Sequence, residues 1–197
     1  MRLGAALGLP VLDTGLLYRA VGAAVAAAGG DPDDEAAATS AARALDPAAI
    51  SPEVLGTREA GELASRVAVH PGVRDALLEV QRHFAARPEG AILDGRDIGT
   101  VICPDAPVKL FVTASAEARA QRRWSQLIGR GESVTYEAIL DDIRARDARD
   151  ASRVAAPLRP APDAALLDTT NMSIDAAFDA ARRIVEAARD RLEPKGS

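Results

Sequence analysis

Three short apolar segments of this chain each run directly into an aspartate, and helix-forming sequence separates them. The segments PVLD, AILD and AALLD end in Asp13, Asp94 and Asp168. A fourth apolar, β-rich segment lies at 108–113, just after a proline. Strands that alternate with helices predict an α/β fold with a parallel sheet, and the ligands of such folds bind at the carboxyl ends of the strands. The three aspartates lie at that expected edge.

Helix-forming sequence fills the stretches between these strands. Glycines, prolines and capping residues predict helices at 16–28, at 57–69, after Pro71, after Ser115, at 136–153 and from Ser173 to about 192. Thr14 is the predicted cap of the first of these helices. Residues 31–56 are acidic, then alanine-rich, with three prolines, and they predict short helices and loops.

The composition excludes several classes of protein. A net charge of −5 argues against a general affinity for nucleic acid or for anionic membranes. One cysteine, Cys103, rules out an internal disulfide and suits a reducing cytosol, and the sequence has no apolar run of membrane-spanning length. We therefore expect a cytoplasmic protein. Only Lys109 and Lys195 are lysines among 24 basic residues, so 22 are arginines, whose planar forks suit phosphate and carboxylate.

The segment LDTGLLYR, residues 12–19, is the first candidate for ligand binding. Asp13 and Thr14 leave a strand end, and Tyr18 and Arg19 follow about one helical turn later. Free backbone N–H groups, a hydroxyl and an arginine together suit an anion or a ribose. The alternative is an ordinary capped helix with Tyr18 and Arg19 on its surface.

Two further segments place charged and hydroxyl side chains where the chain turns. In DGRDIGT, Gly95 allows a tight turn, Arg96 offers several donors and Asp97 can accept from an exocyclic amine or a hydroxyl. The alternative is a salt bridge of Arg96 with Asp94 or Asp97. In residues 64–78, Ser65 and Arg74 flank the break at a proline, so that two helices can present them to one cleft.

The segment RARDARDASR, residues 144–153, holds the densest charge of the chain. Steps of three or four residues place five side chains on one helical face: Asp142, Arg146, Arg149, Asp150 and Arg153. A solvated helix with ion pairs between successive turns is one explanation. Three arginines along one stripe repel one another, however, and the phosphates of a nucleotide would compensate them.

Taken in order, these segments resemble the cytidylate kinase family, nucleoside monophosphate kinases of the P-loop superfamily. The resemblance runs through LDTGLLYR, the S-x-V-A-x-x-P-x-V-R pattern, DGRDIGTVICPDAPVKLFVTAS, RDARDASR, APLRPAPDA and LDTTNMSID, and covers most of the chain outside 31–56. It implies transfer of the γ-phosphoryl group of ATP, with Mg²⁺, to CMP or dCMP by a monomer. The implied fold is an α/β, parallel-sheet, P-loop kinase-like fold of three layers.

The resemblance also divides the chain and assigns its side chains. Residues 1–30 and 87–197 would form the core domain with a lid at about 122–150, and 31–86 would be a shortened insert that binds the nucleoside monophosphate. Substrate would be bound by Thr14, Tyr18, Arg19, Ser65, Arg74, Arg96 and Asp97, of which Ser65, Arg74 and Asp97 would recognise cytosine. The catalytic side chains would be Arg146, Asp150 and Arg153. Arg122 and Arg123 would begin the lid and hold the ATP phosphates.

The chain departs from the family pattern in one main respect. A P-loop kinase uses a G-x-x-x-x-G-K-[ST] run to wrap phosphates, and the 197 residues contain none. By resemblance the sequence begins about twenty residues late, without the P-loop and the central strand before it. Loss of that strand would leave two half-sheets with unpaired inner edges.

Three functional hypotheses stay open from the sequence. The first is a cytidylate kinase with a truncated start, whose activity is impaired in this chain. The second is a non-catalytic protein that binds CMP. The third is a related kinase that acts on UMP or another small phosphate acceptor.

Overall fold

In a computed structural model of the chain, residues 2–152 and 158–192 are described. The described residues form eight α-helices and four β-strands. In chain order these are α1 (Arg2–Leu7), β1 (Val11–Asp13), α2 (Thr14–Ala27), α3 (Glu35–Arg43), α4 (Arg58–Val67), α5 (Pro71–Ala85), β2 (Ile92–Asp94), β3 (Leu110–Thr113), α6 (Ala116–Ile128), α7 (Tyr136–Ser152), β4 (Ala165–Asp168) and α8 (Ile174–Leu192). Short 3₁₀ turns lie at Pro47–Ala49 and Val54–Gly56, and a π turn lies at Ile98–Ile102. The predicted α/β fold class is confirmed.

The strands form two separate parallel pairs rather than one continuous sheet. β1 pairs with β2, with Asp13 opposite Asp94, and β3 pairs with β4, with Thr113 opposite Asp168. Within the described residues no strand joins the two pairs. The described strands therefore have the arrangement that the resemblance implied, two half-sheets.

The free edges of β2 and β3 face a common space. All three residues of β2 and all four of β3 line one cavity of about 1300 Å³, whereas Asp13 is the one lining residue from β1 and none comes from β4. Parallel strands of an α/β protein are normally covered on both faces, yet Val112 of β3 is 56% exposed. The opening between the half-sheets is thus a large concavity that residues of both half-sheets line.

Helix α2 is held in place by the helices of the 31–86 region. Leu17, Val21 and Val25 of α2 pack with Val73 and Leu77 of α5 in a fully buried apolar cluster, which α3 and α4 complete. Residues 31–86 contain helices and 3₁₀ turns but no strand, as predicted for 31–56. The region therefore rests directly on the helix that begins at the cavity.

Helices α6 and α7 form an antiparallel hairpin with an apolar cluster of their own. Ala120 and Leu127 of α6 pack against Ile139 of α7, and Trp124 donates from Nε1 to the Val134 carbonyl at 3.1 Å. The lid predicted at about 122–150 falls within this hairpin. Its helices begin and end outside those limits, at residues 116 and 152.

The predicted cap of α2 is wrong by one residue. Asp13, not Thr14, caps the helix, because its carboxylate accepts from the Gly15 N–H at 2.9 Å. Thr14 instead donates from Oγ1 to the Asp94 carbonyl at 2.8 Å, which ties α2 to the end of β2. Ser115 caps α6 as predicted, by accepting from the Ala118 N–H.

Residues 2–152 and 158–192 contain no helix with both the length and the apolar character needed to cross a bilayer.

Candidate active site

The cavity between the half-sheets brings together most of the predicted substrate-binding residues. Seven of the predicted site residues line it: Thr14, Tyr18, Arg19, Arg74, Arg96, Asp97 and Arg146. They come from α2, α5, the turn after β2 and α7, which are far apart in the sequence. The structure therefore brings Arg74, Arg96 and Arg146, which lie on three different elements, to one cavity.

Arg74 and Asp97 form a buried ion pair at the wall of the cavity. Asp97 precedes the π turn Ile98–Ile102, and its Oδ2 accepts from Nη2 of Arg74 on α5. The two side chains are only 11% and 8% exposed. The pair fixes both a fork of donors and a carboxylate at the cavity surface, since burial of an unpaired charge would be costly.

Ser65 does not line the cavity itself. Its side chain is buried on α4, while its neighbours Ala64 and Ala68 form part of the cavity wall. Arg149 of α7 donates from Nε to Ser65 Oγ at 2.9 Å and from Nη2 to Glu62 at 3.1 Å. The hydroxyl is thus already positioned by a hydrogen bond from α7.

The residues of the LDTGLLYR segment line the cavity next to β2. The Thr14 hydroxyl is bound to the Asp94 carbonyl, and a Cβ at Gly95 would lie 2.3 Å from that hydroxyl, so this approach requires glycine. Arg19 reaches away from the helix and donates to the Leu55 and Thr57 carbonyls at 2.7 and 3.1 Å. Burial and, more weakly, a neighbouring arginine lower the pKa of Arg19 against the opposing pull of Asp13.

Asp150 joins two arginines that approach the cavity from different elements. Its carboxylate is fully buried, and Oδ2 lies 3.8 Å from Nε of Arg96 and 3.8 Å from Nε of Arg146. The sequence alternative of an Arg96 bridge to Asp94 or Asp97 is therefore wrong, because Arg96 turns to α7 and Asp97 pairs with Arg74. Arg153 lies outside the described residues.

The charged stripe of α7 divides between two neighbours instead of facing one ligand. Asp142 accepts two hydrogen bonds from Arg58 of α4, at 2.5 and 2.8 Å, and Arg149 also points to α4. Arg146 and Asp150 point to the turn after β2. The stripe thus joins the 31–86 region to the cavity. Carboxylates on α7 and on α4 balance the charge of its arginines.

The two predicted lid arginines point in different directions. Arg122 donates from Nη1 to Thr169 Oγ1 at 3.1 Å and from Nη2 to the Thr169 and Met172 carbonyls, beyond the end of β4. Arg123 donates to the Gly56 carbonyl at 2.9 Å and to Gln126. Neither lines the cavity in this structure, so their predicted contact with ATP phosphates stays a prediction.

Known proteins of one family resemble this chain over nearly its whole length. The model of the family "Cytidylate kinase" matches residues 1–188. The chain belongs to the cytidylate kinase family. It is 62% identical to the cytidylate kinase of Caulobacter vibrioides (strain NA1000 / CB15N) over 190 residues, which is 96% of this chain and 89% of that protein.

Two further relatives give the same result. The cytidylate kinase of Xanthobacter autotrophicus is 63% identical over 188 residues, or 95% of this chain and 90% of that protein. The cytidylate kinase of Methylocella silvestris is 59% identical over 191 residues, or 97% of this chain and 88% of that protein. The chain is therefore a nucleotide-binding kinase, a phosphotransferase, as the sequence predicted.

Sequence reasoning missed several polar residues at this cytidylate kinase cavity, among them an ion pair. Arg119 of α6 and Asp147 of α7 both line it and form a two-pronged ion pair, with distances of 2.9 and 2.6 Å. The Arg119 guanidinium holds the pKa of Asp147 below its usual range. Arg119 lies one helical turn before Arg122 and Arg123, a spacing that could have indicated it.

Proposed function

We propose that this cytidylate kinase transfers the γ-phosphoryl group of ATP to CMP or dCMP, with the acceptor bound in the cavity between the half-sheets. The observation that carries the proposal is the buried Arg74–Asp97 pair at the cavity wall. Cytosine presents an exocyclic amine beside carbonyl and ring-nitrogen acceptors. A carboxylate beside a guanidinium matches that pattern, because the first accepts and the second only donates.

Ser65 would complete the recognition of the base. Its hydroxyl lies on α4 beside the cavity wall and can both donate and accept. The hydrogen bond from Arg149 supports this role because it fixes the rotamer of the hydroxyl. Uracil carries a carbonyl where cytosine carries the amine, so a carboxylate at this point favours CMP over UMP.

The acceptor phosphate would lie among the arginines that line the same cavity. Tyr18 and Arg19 line it from α2, and Arg96 and Arg146 line it around Asp150. Arginine forks bind phosphate oxygens in pairs, and such contacts neutralise charge that spreads during transfer. Arg153 is proposed as a further phosphate ligand from the sequence pattern alone.

The reaction needs positioning and charge more than proton transfer, since phosphoryl transfer proceeds with little help from a side-chain base. Among residues 2–152 and 158–192 no group of three or more carboxylate, histidine or cysteine ligands could hold a metal. Mg²⁺ would therefore enter as the complex of ATP, a part of the substrate. The sequence contains no G-x-x-x-x-G-K-[ST] run, so we expect this chain to bind ATP weakly.

Calorimetry with the purified chain tests the acceptor site independently of turnover. We expect CMP and dCMP to bind with dissociation constants on the order of micromolar, UMP more weakly, and Asp97→Asn to lose the preference for cytosine. Equal or tighter binding of UMP would instead favour a UMP kinase. The absence of any CMP binding would overturn the proposal.

A second candidate function is CMP binding without catalysis, and the missing phosphate-wrapping run favours it. A coupled assay that follows CDP formation from ATP and CMP separates the two. CDP formation by the chain, at any rate above a heat-treated control, would exclude the non-catalytic function. CMP binding with no CDP formation would support it.

We also propose that the chain acts as a cytoplasmic monomer. The support for the compartment is the single cysteine, Cys103, which suits a reducing environment, and the support for the monomer is the family resemblance. Light scattering of the purified chain would give the mass of one copy, 20.5 kDa. A dimer mass would contradict the monomer.

A further inference from the structure

Three arginines converge on one short turn of the 31–86 region. Arg19 donates to the Leu55 and Thr57 carbonyls, and Arg123 and Arg130 both donate to the Gly56 carbonyl, at 2.9 and 3.1 Å. We call Arg19, Arg123 and Arg130 the arginine cluster, and residues 54–57 the carbonyl turn. Neither the sequence motifs nor the assigned site includes Arg130.

Within the described part of the chain no carboxylate pairs directly with the arginine cluster, and the charges of Asp13 and Glu132 offset its positive charge only in part. Among the described residues none of the three forms a salt bridge, and their acceptors are backbone carbonyls and the Gln126 amide. Burial and the neighbouring arginines lower the pKa of Arg19 and of Arg123. Three cations at this proximity repel one another, and neutral carbonyl dipoles compensate them only in part.

The carbonyl turn presents what a phosphate presents, several oxygens at one point. A phosphate adds a negative charge that a carbonyl lacks, and arginine forks frequently bind phosphate through two parallel hydrogen bonds. Arg19 also lines the cavity in which we place the nucleotide, so the arginine cluster begins at the wall of the proposed site. Arg130 is exposed and can be reached from solvent.

We propose that Arg130 completes a phosphate-binding site with Arg19 and Arg123, and that the carbonyl turn occupies this site until a phosphate chain displaces it. The inference rests on the proposed function. It adds Arg130 to the residues that bind phosphate, and it adds the carbonyl turn as an internal ligand that competes with the phosphate. It makes the turn a self-inhibitory contact, because the same donors cannot serve the turn and the phosphate together.

Other contacts keep the two regions together when the turn leaves. Arg58 pairs with Asp142, and Arg149 pairs with Glu62, both between α4 and α7. Release of the carbonyl turn therefore need not separate α4 from the lid helices. The movement required is local, in a segment whose Val54 side chain is already 70% exposed.

Gly56 offers a substitution that weakens the turn without altering an arginine. A Cβ at Gly56 would lie 2.1 Å from Nη1 of Arg130, and its φ is not among the positive values of the described glycines. Gly56→Ala is therefore allowed by the backbone but expels the Arg130 side chain from the turn. The acceptors of Arg19, on Leu55 and Thr57, remain.

The test measures the affinity of inorganic tripolyphosphate by calorimetry for the whole chain and its variants. We expect Arg130→Gln to weaken binding about tenfold and Gly56→Ala to tighten it about threefold, because the first removes a charged donor and the second frees Arg130 from the carbonyl turn. Arg144→Gln is the matched control, since it removes one exposed arginine of α7 that pairs with Glu117. It should change the affinity less than twofold, as expected for a screened surface charge.

Hydrogen exchange gives a second, independent readout. Addition of tripolyphosphate to the unaltered chain should accelerate amide exchange in residues 51–57, where ligand binding at a purely structural contact would slow it or leave it unchanged. The same sign for both variants, or no acceleration in 51–57, would overturn the inference. If Arg130→Gln does not fold, as circular dichroism would reveal, the sign of the Gly56→Ala change still decides.

CMP calorimetry on the same preparations separates this inference from the proposed function. If the unaltered chain does not bind CMP, the proposed function fails whatever tripolyphosphate does. If it binds CMP while Gly56→Ala and Arg130→Gln leave tripolyphosphate binding unchanged, this inference fails and the proposed function stands.

Discussion

Asp13 and Asp94 lie opposite each other in register at the carboxyl ends of β1 and β2. The Asp94 carboxyl borders the cavity, and its pKa is raised first by the partial loss of solvent around it and second by the Asp13 charge. Two acids side by side at the site entrance thus differ in role. Asp13 caps α2 by accepting from the Gly15 N–H, whereas the charged form of Asp94 destabilises the folded chain.

We predict that Asp94→Asn stabilises the chain at neutral pH. A carboxyl whose pKa is raised on folding favours the folded state below its unfolded pKa and loses that contribution as pH rises through the folded pKa. The gain should be small, at most about 2–4 °C in Tm, present at pH 7 and absent near pH 3.5. Thermal unfolding at the two pH values measures it, with Asp105→Asn as a control. An equal gain at both would contradict the electrostatic cause.

We predict that Asp97→Ala destabilises the chain strongly, because it leaves the Arg74 guanidinium buried without its partner. Removing one member of a buried pair costs about 3–5 kcal/mol. Urea unfolding measures the loss. The double variant Arg74→Leu, Asp97→Ala should recover part of the stability, while CMP binding stays lost. A loss below about 1 kcal/mol for Asp97→Ala would mean that water reaches Arg74 easily.

We predict that Gly22→Ala loosens the packing of α2 against α4. A Cβ at Gly22 would lie 2.7 Å from Leu63 Cβ and 2.9 Å from the Leu63 backbone carbon, and backbone cannot yield as a side chain can. Overpacking of this kind costs about 1–3 kcal/mol. Gly61→Ala is the matched control, because its Cβ would lie 3.4 Å from the Arg19 side chain, and it should be neutral or stabilising. Equal stabilities for the two variants would refute the steric cause.

We predict a measurable coupling between Arg119 and Asp147, which join α6 to α7 beside the cavity. A double-mutant cycle with Arg119→Gln and Asp147→Asn should give about 0.5–1 kcal/mol at pH 7. Because the Asp147 pKa is lowered, the coupling is present above its unfolded value and is lost as pH falls through the folded value. The exposed Arg144–Glu117 pair between the same helices should couple more weakly. Coupling that persists at pH 2 would exclude an ionic origin.

The helices and strands of this chain followed from local sequence. Apolar runs ending in Asp94 and Asp168 matched strands that end at those residues, and Ser115 capped α6 as predicted. The cap of α2 was misplaced because Asp13 and Thr14 are both good caps, and only the position of the Asp94 carbonyl decides which side chain is drawn elsewhere. Local patterns cannot rank two neighbouring caps of similar strength.

The sequence by itself determined the family, the strand ends and seven of the residues that line the cavity, since each depends on short motifs and on strand direction. Tertiary structure decided the partners: Arg74 with Asp97, Arg96 with Asp150, and Arg19 with the carbonyl turn. An arginine side chain is long, and its guanidinium group can donate hydrogen bonds in many orientations. The packing of distant helices therefore decides which carboxylate or carbonyl comes within its reach. Local sequence spacing does not predict that partner.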